Sequence, residues 1–109
     1  MLGRLASLFR KEIYMVGSKE FLERCRQEVA EYFNANADVT DDVKLEASQV
    51  YVVWYAKELQ NHKAMLSTPI PDGLYYEITY NGTKDELYID VYKKWENIKV
   101  SSAFKPEED

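Results

Sequence analysis

The chain has one cysteine, Cys25, and one histidine, His62. A single thiol excludes an intrachain disulfide and a cysteine-built zinc cluster, and it fits a reducing compartment. Long hydrophobic runs are missing: the stretch Val50 to Ala56 falls far short of the roughly 18 apolar residues of a bilayer-spanning helix. Near the N-terminus, Arg4, Arg10 and Lys11 flank Leu5 to Phe9 without the uninterrupted apolar stretch or small-residue cleavage site of a secretory leader. The expectation is a protein without membrane attachment, working in the cytoplasm of a host cell. Only four glycines occur, Gly3, Gly17, Gly73 and Gly82, too scattered for a phosphate-cradling loop. Basic charge is also scarce, with 14 Lys and Arg against 19 Asp and Glu and a net charge of −5. A phosphate-backbone binder shows a clustered basic face instead, so nucleic acid ranks last among partners.

What is present is an ordinary globular composition, 46% apolar and 30% charged over 109 residues, enough for one hydrophobic core. Residues 2–14 read as an amphipathic helix with Leu2, Leu5, Leu8, Phe9 and Ile13 on its apolar face. Met15 offers a second start, which makes residues 1–14 an N-terminal helix or extension, dispensable for folding, ahead of a single α+β domain over 15–100. A second helix begins at Ser18, read as its N-cap, with Phe21, Leu22, Cys25, Val29, Tyr32 and Phe33 as its apolar stripe. Asn34-Ala35-Asn36 ends it, and a polar connector follows in which Thr40 caps a short turn.

From Val50 the period changes. Val50 to Leu59 carries β-branched and aromatic residues at both parities, as a strand covered on both faces does. Gln60-Asn61-His62 reads as a turn, Lys63 to Thr68 as a short strand, and Pro69 to Gly73 as a rigid connector. Alternation then marks a hairpin around Asn81-Gly82, with Leu74, Tyr76 and Ile78 on one face opposite Leu87, Ile89 and Val91. A four-residue loop, Asn81 to Lys84, pairs Ile78 with Leu87 and Tyr76 with Ile89. After Trp95 the strand is expected to run to Val100, and residues 101–109 form an acidic tail. The assembled expectation is α+β: N-terminal helices followed by a four-stranded antiparallel meander, with the second helix packed on the aliphatic sheet face.

Catalytic and metal signatures do not emerge, and no cofactor is expected. His62 reads as a solvated turn residue. Asp38, Asp41 and Asp42 lack the glycine and the twelfth-position glutamate of a calcium loop. Asn81-Gly82-Thr83 fits the glycosylation pattern but reads as a turn. Glu77 and Asp90 are carboxylates on the open sheet face, where such residues are usually solvated.

The unusual feature is aromatic, with nine tyrosines and two tryptophans. Tyr51, Tyr55, Tyr75, Tyr88 and Tyr92 fall on the face away from the second helix, around Glu77 and Asp90. Tyrosine brings large area and a hydroxyl to interfaces at low rotamer entropy, so these seven residues form a candidate protein-binding surface. Cover by the first helix, a symmetric homodimer, or strand propensity alone are the competing readings.

The string Val50-Tyr-Val-Val-Trp-Tyr-Ala-Lys-Glu-Leu-Gln-Asn-His-Lys-Ala-Met-Leu-Ser-Thr68, with Asp72 to Gly82 and Tyr88-Ile-Asp-Val-Tyr-Lys-Lys-Trp-Glu96, resembles a family of small phage and prophage proteins of Gram-positive bacteria without assigned function. The likeness spans residues 18 to 98. It implies origin and setting and transfers no catalytic residue. The leading expectation is a phage-type accessory protein that binds a protein partner, a host factor or a defence component. A self-associating assembly component comes second and a small enzyme third.

Overall fold

Ser18–Asn36 forms one helix, α1, because Phe21, Cys25, Val29 and Ala30 recur at helical spacing and are all buried. Gly17, rather than Ser18, is its N-cap: the Phe21 amide donates to the Gly17 carbonyl at 2.9 Å, and the Ser18 hydroxyl is engaged elsewhere. The computed structural model describes residues 16–37 and 43–107. The expected first helix and the Asp38, Thr40, Asp41 and Asp42 connector lie outside the described residues. Where the chain resumes, both ends of the Asn34 amide grip Leu45, accepting from its N–H and donating to its carbonyl at 2.9 Å each. A 3-10 turn, Ala47–Gln49, follows, closed by reciprocal Glu46 and Gln49 capping.

Four strands come next, β1 (Tyr51–Glu58), β2 (Asn61–Ser67), β3 (Leu74–Asn81) and β4 (Glu86–Lys93), all antiparallel and in the order β1-β2-β3-β4. The α+β meander is therefore as expected, with one helix on one face. Its register departs from expectation by two residues: Ile78 pairs with Ile89, Tyr76 with Val91 and Tyr80 with Leu87. The loop does span four residues, but from Gly82 to Asp85, because Asn81 stays in the strand opposite Glu86. A shift of two leaves every side chain on its assigned face.

The inner face carries the rows His62–Tyr80–Leu87, Ala64–Ile78–Ile89 and Leu66–Tyr76–Val91. Here α1 lies mainly over β1 and β2. Tyr76, Ile78 and Tyr80 are sealed, Leu74, Leu87 and Ile89 are partly buried, and Val91 is 37% exposed, so the helix does not span the whole face as expected. Cys25 is wholly buried beneath α1, and desolvation pushes its thiol up to about 12, which keeps it unreactive. Past Lys93 the expected strand to Val100 does not form: residues 94–107 hold no regular structure.

Candidate functional site

A bulge decides which aromatics face outward. In β1, Val52 pairs with Leu66, but the next pair is Trp54 with Met65, so Val53 is the extra residue. The inserted residue reverses parity along the strand. Tyr51 stays outward, Trp54 joins it, and Tyr55 turns inward opposite Ala64. Tyr55 is therefore removed from the expected surface. Trp54, absent from that expectation, takes its place, since a bulge inside a run apolar at both parities leaves no mark in sequence.

The outer face holds Tyr51, Trp54, Tyr75, Tyr88 and Tyr92 together with Glu77 and Asp90, as their pairings Tyr75–Tyr92, Glu77–Asp90 and Thr79–Tyr88 require. Tyr51, Trp54, Tyr88 and Tyr92 are between 40% and 53% exposed, so the patch is open and aromatic. Lys63 reaches Glu77 at 3.3 Å and relieves the repulsion of two carboxylates set directly opposite. The Lys94 ammonium stands 5.7 Å from the centre of the Tyr75 ring. Tyr88 donates a hydrogen bond to Glu86, whose carboxylate raises the phenol above its ordinary value. Asp90 has no ion-pair partner among the described residues.

The inner face holds the larger surprise. His62 is not a solvated turn residue: it lies in β2 and is 1% exposed. Its ring stacks on Phe21 with centroids 4.9 Å apart, and its Nδ1 meets the Tyr55 hydroxyl at 2.5 Å. Tyr55 also meets the Ser18 Oγ at 2.8 Å, and the donor and acceptor roles of the two His62 ring nitrogens follow its tautomer. Nε2 meets no hydrogen-bond partner among the described residues. The chain Ser18–Tyr55–His62 fastens the start of α1 to the sheet, and a buried ring without substrate access acts as a structural staple. The one trace of this in sequence is that His62 shares parity with the apolar Ala64 and Leu66.

Burial holds the His62 pKa below its ordinary 6.5, reinforced by Lys57 across the ladder and opposed by the Val16 backbone. The unfolded chain therefore takes up this proton first. Stability from His62 is intact above pH 6.5 and falls as pH drops below that value. Equilibrium urea unfolding between about pH 7.5 and about pH 5 reads the slope. The His62→Phe variant is expected to show a shallower slope than the parent, and equal slopes would deny the role of this ring.

A cavity of about 530 Å3 opens between α1 and the β3–β4 end, floored by Phe21, Tyr80 and Leu87 and rimmed by Glu20, Glu23, Arg24 and Asp85. It holds no nucleophile beside a base, and no three His, Cys, Asp or Glu side chains among the described residues gather to hold a metal ion. No described helix is long and apolar enough to cross a membrane.

Fold and surface together define a small α+β module whose exposed chemistry is an aromatic, acidic sheet face. The chain matches the family described as "Family of unknown function (DUF6275)" over residues 22–102, and it belongs to that family. No curated protein and no solved structure matches it.

Proposed function

We propose that this chain is a protein-binding accessory module of phage or prophage origin in Gram-positive bacteria, acting in the host cytoplasm on a host factor or defence component. The observation that supports it is the open outer face, where Tyr51, Trp54, Tyr75, Tyr88 and Tyr92 stand on one side of a sheet around Glu77 and Asp90. Aromatics carry much of the energy of protein interfaces, and the free Asp90 carboxylate favours a partner with basic side chains. An enzymatic reading has less support, because the only histidine is sealed in the core. Self-association is the second reading, and it rests on a different part of the chain, the arm over residues 94–107.

The test is affinity capture from host lysate with the parent and with a Tyr75→Ser, Tyr88→Ser double variant. The expected result is a partner retained by the parent and weakened about 30-fold or more in the variant, from roughly 2 kcal/mol per interface aromatic. The thermal transition should move little, since Tyr88 is half exposed. A partner held equally by both proteins would remove the outer face from the interaction.

A further inference from the structure

Beyond Lys93 the chain leaves the sheet as an arm, residues 94–107, every one of them exposed. Four large apolar side chains project from it: Trp95 at 95% exposure, Phe104 at 88%, Val100 at 77% and Ile98 at 66%. A globular chain rarely leaves so much apolar surface in water on one short segment without a surface to receive it. Ile98-Lys99-Val100-Ser101 alternates as a strand does, yet it has no neighbour.

We propose that the arm is exchanged between two copies of this chain, each laying residues 95–104 along the other, with 95–102 added as a strand to the free edge of β4 and Phe104 packing just beyond it. The proposal uses the sheet edge and does not depend on the outer-face reading. Its first support is direction. The last backbone bond of the sheet runs from the Lys94 amide to the Gly73 carbonyl at 2.7 Å, and no turn follows before residue 101, where Ser101 and Ser102 accept from the Ala103 and Phe104 amides and Ala103 takes a positive φ. Without a reversal the arm cannot lie back along its own β4, so the strand it joins belongs to another molecule.

The receiving edge is the second support. β4 and β1 are the two edges of the sheet, and an edge presents unpaired N–H and C=O groups. β1 is broken by its bulge, whereas the β4 register runs unbroken from Glu86 to Lys93. Eight residues span about 26 Å, within reach of an arm strand of similar length. The inner side of this edge also offers uncovered apolar surface at Val91.

Reciprocity and family extent point to a second copy rather than a foreign chain. The exchanged strand 95–102 carries Glu96 and Lys99, which cancel, so it can lie beside Glu86 and Asp90 of the receiving edge without a net like-charge repulsion. The family match continues to residue 102, keeping the strand-patterned part of the arm in the same unit as the edge. Reciprocal exchange about a two-fold axis closes, so it ends at the dimer. Buried aromatics cover about 150–250 Å2 each. Four of them across the pair, counted with the surface they cover, reach the roughly 1,200 Å2 where specific interfaces begin.

The experiment uses the full chain. Sedimentation equilibrium over a wide concentration range is expected to give a dimer, and Trp95→Ser with Phe104→Ser to raise its dissociation constant at least about 30-fold. These side chains are 95% and 88% exposed in the folded monomer, so melting measured at concentrations where the parent is monomeric should not change. Hydrogen exchange provides the second reading: the Ile98 and Val100 amides should be protected at concentrations where the dimer forms and exchange freely on dilution. A parent that stays monomeric, a dimer indifferent to the two substitutions, or protection independent of concentration would each overturn the exchange. A Tyr51→Ser, Trp54→Ser variant, altered on the outer face at the far edge strand β1, should dimerise normally, which separates failure of this proposal from failure of the outer face.

Discussion

Replacing Phe21 by alanine is expected to remove about 3–5 kcal/mol of stability, the range for emptying a buried phenylalanine site. Phe21 is 1% exposed and stands in the first turn of α1, with its ring against His62 at 4.9 Å and Tyr55 at 5.8 Å. The neighbours cannot close over the gap freely. His62 and Tyr55 are held by their mutual bond and by Ser18, so collapse into the space would break the bonds that fasten α1. For a domain with about 5–15 kcal/mol in total, this loss is a large share. Urea unfolding at constant m-value measures it, with Leu22→Ala, a half-buried neighbour, as the smaller comparison. A Phe21→Ala loss below about 1 kcal/mol would mean that the aromatic stack does not anchor the helix.

The features legible in sequence are those fixed by local period. The stripe through Phe21, Cys25 and Val29 and the alternation of β3 and β4 both arise from one buried face, and both survive in the structure. Features set by a single inserted or displaced residue were not legible. The Val53 bulge moves Tyr55 from the outer face to the core, because parity is only as good as the assumption that no residue is extra. The hairpin register was displaced for a similar reason. Asn81 remains in the ladder and its side-chain oxygen accepts from the Thr83 and Lys84 amides, so the loop begins one residue later than an Asn-Gly pair implies.

His62 and the arm failed in opposite directions. His62 sits among Gln60, Asn61 and Lys63, and that polar neighbourhood hid a period-two link to Ala64 and Leu66. Tertiary stacking on Phe21, invisible in a local window, is what makes its burial tolerable. The arm has the pattern of a strand but finds no partner within the chain, since strand propensity expresses packing against neighbours more than a backbone preference. The outer aromatic face was legible at Tyr51, Tyr75, Tyr88 and Tyr92, where no bulge intervenes between register and face.

Gly82→Ala is expected to destabilise the fold by roughly 2–4 kcal/mol, combining an overpacked site with a lost hydrogen bond. A Cβ at this position would stand 2.3 Å from the Gln60 carbonyl oxygen, 2.5 Å from its Cβ and 2.9 Å from its carbonyl carbon. The two hairpin tips touch here, and the Gly82 amide donates to Asn61 Oδ1 at 3.1 Å across them. Any relief of the clash separates the tips and stretches that bond. The requirement is for space and not for a left-handed backbone, because Gly73 is the described glycine with positive φ. Gly17→Ala is the contrast, with nothing within 4 Å of an added Cβ, and should cost under about 1 kcal/mol. Gln60→Gly added to Gly82→Ala deletes one of the three clashing atoms and leaves two of the backbone, so it should restore little. Full recovery in that double variant would place the conflict in the Gln60 side chain and undo the case for backbone contact between the tips.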